Sequence, residues 1–282
     1  MPPLPTGFPV NDAQDDFSRA RRRQAMRRLG RRFERGGADL DMILPFDEVV
    51  AELGRVAERD LGLQLVELDS VVGTVDRTQG SFDRSFAPVN SRVRVRWERI
   101  AEQMRRGGEL PPISVYRVGA VHFVRDGHHR VSVARAQGLT HLEARVVEVT
   151  TRVAADRELT LAGLPMKGHE RLFRERVPLV PAARTRVVLT DPWCYGQLAE
   201  GVEAWGFRVM QDRADFLSRE ENARLWFEDE FVPVVAMIRD AGLAGARQTD
   251  ADAYFAISSA RYRLLRTQEW TPEIIERLRQ AI

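Results

Sequence analysis

The chain has 282 residues, 44% of them apolar and 30% charged, which is enough to bury one large core or two modest ones. A formal net charge of +2 gives no whole-molecule attraction to nucleic acid, and the single cysteine, Cys194, excludes an internal disulfide and any cysteine-rich metal site. The longest apolar runs, such as Val232 to Ile238, fall far short of the roughly 18 residues of a membrane span, so no membrane partner is expected and a cytoplasmic location is the default.

The opening Met1-Pro-Pro-Leu-Pro-Thr-Gly-Phe-Pro lacks the basic and apolar regions of a signal peptide and is predicted to be a disordered leader. A basic helix is predicted from about Asp16 to Arg35, closed by Gly36-Gly37, with Phe17, Ala20, Met26, Leu29 and Phe33 as its apolar stripe. Its arginines, from Arg19 to Arg35, suit DNA, RNA or an anionic surface, or simply a solvated face. A short helix follows Pro45, from Phe46 to Leu53. These segments define a leader and basic helical arm over residues 1–62.

Residues 63–150 read as α/β. Leu63 to Val66 is a predicted strand, and the polar stretch Gly73 to Phe86 is a loop pinned by Phe82 and Phe86. Ser91 to Arg106 is helical, Ile113 to Tyr116 and Val121 to Val124 form a hairpin, a helix runs from Gly127 to Gln137 with Gly138 as its cap, and Leu142 to Val149 returns as a strand. Residues 151–282 are predicted to be mainly helical. Arg186 to Thr190 and Gly206 to Met210 are strand-like there, flanking a helix from Cys194 to Trp205. Ser218 with Glu221 forms a capping box for a helix through Ala241, Thr249 with Asp252 caps the next, and Thr271-Pro272 opens the last. Gly168-His169 reads as a helix start. Trp226, Phe227, Phe231, Tyr254, Phe255, Tyr262 and Trp270 are assigned to the core.

The chemistry concentrates where an apolar strand runs into Asp126-Gly127-His128-His129-Arg130. The first amides of a helix have no intrahelical acceptor and sit at the positive end of its dipole, so this junction suits an anion. Gly127 lets the backbone approach closely, Arg130 offers a bidentate fork, and His128 or His129 can neutralise charge or move a proton near neutral pH. Asp126 is a candidate general base, Mg²⁺ ligand or plain turn residue. Adjacent histidines on a helix diverge by about 100°, which argues against a two-histidine metal site.

This junction resembles the signature of the ParB/sulfiredoxin superfamily, in which a strand delivers a Gly-x-x-Arg turn to a helix start. The resemblance covers residues 63–150, about a third of the chain, and the helix Val131 to Gly138 continues it. It implies a nucleotide-binding α/β (α+β) domain of that fold, taking ATP, ADP or CTP, with Mg²⁺ as a companion. It also implies that the loop after the first strand faces the nucleotide, with Gly73 at its start, Arg77 or Arg84 as phosphate clamp and Asp76 as acid, base or metal carboxylate. His128 stands where sulfiredoxins carry their cysteine, which speaks against that activity. His128 and His129 replace the Glu-Arg of partition-type members, and no helix-turn-helix follows. The catalytic branch, which includes free-serine kinases, tolerates such turns better. The whole-chain pattern, including Leu44-Pro45-Phe46 and Trp226 to Val235, looks like bacterial ParB-like proteins of undetermined role. The expectation is therefore binding of a nucleotide or another phosphorylated small molecule. Hydrolysis or phosphoryl transfer through Asp76, Asp126 and His129 is left open. The alternative is a nucleotide-gated DNA-binding protein that uses the Arg19 to Arg35 helix, and a homodimer is among the partner expectations.

Overall fold

The computed structural model describes residues 6–31, 42–75, 80–265, 267 and 269–281. Two compact units divide the chain, Met1–Pro165 and Met166–Ile282. The expected arm thus belongs to the first unit, and the division falls after Pro165 instead of near residue 150.

The first unit is mixed α/β, built on a six-stranded sheet. Its strands are β1 (Leu44–Pro45), β2 (Arg55–Glu67), β3 (Val71–Thr74), β4 (Ile113–Val118), β5 (Val121–Asp126) and β6 (His141–Thr151), in the order β1-β3-β5-β4-β6-β2. The β4/β5 and β2/β6 pairs are antiparallel and the other three are parallel. The hairpin and the returning strand stand where they were expected. The first long strand does not: β2 begins at Arg55, eight positions before Leu63 (63 − 55 = 8), and pairs along its whole length with β6. It lies at the edge with most of both faces in water, so its sequence lacks the alternation that marks a half-buried strand.

Helix α2 (Phe46–Leu53) covers one face of the sheet, where Phe46, Val49 and Leu53 meet Val118, Val121 and Phe123. Helices α3 (Arg94–Arg105) and α4 (His128–Ala136) belong to the opposite face, where Val131 and Ala134 meet Ile113, Val115 and Val124. Trp97 of α3 is fully buried against Val133, and its indole N–H donates to Ser132 Oγ at 2.8 Å. Gly73 lies inside β3 and not in a loop. A Cβ there would fall 2.2 Å from the Phe123 ring, so only glycine lets β3 pass so close.

Helix α1 spans Pro9–Arg31, so it starts well before Asp16 and takes in the end of the expected disordered leader, where Thr6 donates to Asp12 through its amide and hydroxyl. Met1 to Pro5 lie outside the described residues, as do Arg32, Phe33 and Arg35. Its buried face is Asp12, Ala13, Asp16, Phe17 and Gln24, whereas Met26 and Leu29 of the expected stripe are 75% and 60% exposed. The reason is an ionic anchor. Arg105 of α3 grips buried Asp16 through Nε at 2.8 Å and Nη2 at 2.6 Å, with Asp12 alongside, and this turns the acidic edge of α1 inward.

The second unit is helical, with α5 (Leu164–Arg176) beginning at the division, α6 (Pro181–Arg184), α7 (Tyr195–Arg213), α8 (Arg219–Leu225), α9 (Val232–Asp240), α10 (Asp250–Leu265) and α11 (Pro272–Ala281). Both strand-like segments prove otherwise. Residues 186–190 are irregular, their backbone satisfied by side chains: Leu189 N–H donates to Tyr195 Oη, Thr190 N–H to Asp252, and Thr249 Oγ1 to the Val188 carbonyl. Gly206 to Met210 continue α7, because Gly206 is where Asn222 packs; a Cβ would lie 2.1 Å from its Oδ1. Gly168-His169 likewise lies within α5 and does not open it.

The capping box of Ser218 and Glu221 forms as expected, and so do the caps at Thr249 and Thr271. Between α8 and α9 the chain widens into a π-helical turn, Trp226–Phe231. Pro233 cannot donate the next backbone hydrogen bond, and Val232 N–H reaches back five residues to Phe227. Trp226, Phe231 and Tyr254 are buried in the core, and Phe227, Phe255 and Trp270 pack against it. Tyr262 is exposed, against expectation.

Candidate anion site at the β5–α4 turn

The Asp126-to-Arg130 junction takes the geometry its residues suggested. Gly127 has φ +106° and ψ 18°, in the left-handed region, and an added Cβ would stand 2.5 Å from Ile113 Cγ2. Helix α4 then begins with no side-chain cap. The amides of His129 and Arg130 find no acceptor among the described residues. Beside them opens a cavity of about 330 Å³, lined among others by Thr74, Phe82, Arg96, Ile100, Arg125 and His129.

Several expected roles change. Arg130 is not a free phosphate fork. Its Nη1 donates to the carbonyls of Pro111 and of Pro112, the latter at 2.9 Å, and its Nη2 forms an ion pair with Asp126. With the Arg130 side chain only 12% exposed, the guanidinium braces the turn from beneath. Asp126 is 67% exposed but committed to that pair, so it is neither an unengaged base nor a ready Mg²⁺ ligand. No group of three or more His, Cys, Asp or Glu gathers to hold a metal among the described residues.

His128 points inward. Its Nε2 lies 2.7 Å from Thr74 Oγ1, and its ring stacks on Phe86. His129 lines the cavity with its ring edge-on to Phe82 at 5.2 Å. Burial, then the nearby Arg96 and His128, push its pKa down to about 4. At neutral pH it is therefore uncharged, and it supplies a neutral donor or acceptor instead of a cation. Gly73 supports the site only by letting β3 lie against Phe123. Arg84 lies elsewhere: it lines a different cavity and donates to the Arg157 carbonyl at 3.2 Å. Its placement follows from the pinned loop, in which Asp83 Oδ1 accepts the amides of Ser85 and Ala87 and buried Phe86 sits at φ +57°. Asp76 and Arg77 lie outside the described residues.

Three residues were missed. Arg125 and Arg96 both line the cavity, are exposed, and make no hydrogen bond or ion pair among the described residues. Thr74 orients His128. Arg125 carried a signal, since it follows buried Val124 at the end of an apolar strand; Arg96 sits on a helix 30 positions upstream of Asp126 (126 − 96 = 30), and nothing local links it to the turn. Comparison of the chain with protein-family models, with curated proteins and with solved structures gave no match.

Proposed function

We propose that the first unit binds a small phosphorylated molecule, with a nucleotide as the ligand class, in the cavity at the β5–α4 turn. The observation that carries this reading is the meeting, around one space, of two helix-start amides and two guanidiniums, of Arg96 and Arg125, that have no partner among the described residues. Charged hydrogen bonds contribute about 1.5–3 kcal/mol each, so a few such contacts support micromolar binding. Ile43, Phe82 and Ile100 give the same cavity an apolar wall against which a base can lie. Binding is favoured over phosphoryl transfer, because Asp126 is held by Arg130 and His129, with its pKa near 4, is at neutral pH neither a cation nor a strong base. The resemblance to the ParB/sulfiredoxin superfamily points the same way, toward phosphates on a Gly-x-x-Arg turn, with Arg130 as brace and Arg96 and Arg125 as the contacting cations.

The test is a thermal-shift screen of the full chain with ATP, ADP, CTP and GTP, each with and without Mg²⁺. Binding raises the stability of the folded form by about 2.7 kcal/mol at a hundredfold excess over Kd. A shift with at least one nucleotide, abolished by Arg96→Ala with Arg125→Ala, supports the reading. A flat response to all four refutes it.

A further inference from the structure

A second and larger cavity, about 800 Å³, lies in the first unit between α1, β3, the Ser85–Ala87 segment and α4. Its accessible apolar floor is made by Ala20, Met26, Ala136 and Leu139, laid over buried Val71, Val72, Phe86 and Ala87. Six arginines border it, Arg19, Arg23, Arg27, Arg84, Arg135 and Arg157, against two aspartates, Asp16 and Asp69. Some of this charge is already satisfied. Asp16 is held by Arg19 and Arg105, and Arg157 pairs with Glu67. Arg135 lies 5.5 Å above the Phe86 ring and donates to the carbonyls of Leu68 and of Val71, the latter at 2.9 Å.

What remains is unbalanced. Arg23 and Arg27, on the exposed side of α1, make no ion pair or hydrogen bond among the described residues. Across from them the Nε of Arg135 is buried without an acceptor among the described residues. Burial first, and then Arg27, hold Arg135 below its ordinary pKa, against the pull of Asp69 and Asp83. Like charges facing a partly enclosed space, above an apolar floor, are most stable with an anion between them.

We propose that this cavity binds a small organic oxyanion, a phosphate or carboxylate carrying an aromatic or otherwise apolar body. Arg23 and Arg27 close on the charged head, and Ala20, Met26, Ala136 and Leu139 receive the body. This site is separate from the β5–α4 turn and stands whether or not a nucleotide binds there.

Isothermal titration of the full chain with 1-naphthyl phosphate, 1-naphthoate and inorganic phosphate tests it. At least one aryl anion should bind, and inorganic phosphate should bind about tenfold more weakly, since it leaves the floor uncovered. Arg23→Ala with Arg27→Ala should weaken the aryl anion by about tenfold or more, as two charged contacts are lost. Ala136→Met, which fills the floor and leaves every charge in place, should weaken it as well. Arg96→Ala with Arg125→Ala should leave this binding unchanged, which separates the two sites. The proposal is overturned if neither aryl anion binds, if inorganic phosphate binds as well as they do, or if the α1 substitutions have no effect. Retention of duplex DNA through Arg23 and Arg27, with no aryl anion bound, would overturn it too.

Discussion

Replacing Gly127 with alanine would put a methyl carbon 2.5 Å from Ile113 Cγ2 and 2.9 Å from its Cβ, at a residue held at φ +106°. The left-handed backbone alone costs an ordinary residue about 1–2 kcal/mol. The overlap falls on a side chain that is almost fully buried, and overpacking of that kind adds about 1–3 kcal/mol. Together the two effects predict a loss of about 2–5 kcal/mol. Amide hydrogen exchange of β5 and α4 reads opening of the first unit separately from the second. Protection there should fall about thirtyfold or more, each tenfold step being about 1.4 kcal/mol. A second substitution separates the causes. Ile113→Ala removes Cγ2 but keeps the Cβ at 2.9 Å, so its combination with Gly127→Ala should recover only part of the overpacking cost, about 1 kcal/mol or more below the sum of the single variants. Ile113→Val keeps Cγ2 and should give no such relief. If Gly127→Ala leaves protection unchanged, or if its effect and that of Ile113→Ala simply add, the close-packed turn described here is wrong.

The histidines predict an acid response. His122 and His129 are both depressed to about 4 from an ordinary 6.5, chiefly by burial. As pH falls below about 6.5 the unfolded chain takes up protons that the folded chain refuses, so stability present at neutral pH is lost down to about pH 4. An NMR titration in which either imidazole titrates near 6.5 would contradict this. Arg105→Ala leaves Asp16, 5% exposed, with Arg19 as its remaining partner, and the loss of two charged hydrogen bonds should lower the stability of the first unit by about 1.5–3 kcal/mol as read by urea unfolding. An unchanged unfolding midpoint would show that the anchor is dispensable. Ser218→Ala removes the hydroxyl that accepts from the Glu221 amide and keeps the backbone N–H that donates to Glu221 Oε2; it should cost the second unit about 1 kcal/mol, visible as faster exchange of the α8 amides.

Local patterns were the legible part of this fold. Phe46 to Leu53, the Ile113-to-Val124 hairpin, the glycine turn and the Ser218 cap each depend on neighbours within a few residues, and each forms as read. What escaped was set by partners far along the chain. The strand from Arg55 exists because β6 is there to pair with it, and Gly206 looks like a helix breaker until Asn222 occupies the space beside it. At the site, Gly127 and the bare helix start were readable from sequence. The carbonyls of Pro111 and Pro112, which draw Arg130 away from solvent, were not, and neither was the arrival of Arg96 from another helix.

The widened turn at Trp226–Phe231 sets the phase of everything after it. Residues five apart in an α-helix of about 3.6 residues per turn point roughly 140° away from each other. Here Trp226 and Phe231 share one interior, their rings 5.2 Å apart. Excising a single exposed position, Glu228, would let the ladder close as an ordinary helix with its composition almost untouched. Trp226 and Phe231 would then be four positions apart, about 40° from one another, so Val234, Val235 and Ile238 would keep their inward face; closing the ladder with every residue kept would instead swing them by about 100° toward water. The wide turn thus works as a spacer that takes up one surplus amino acid and leaves two stretches of helix aimed at the same interior.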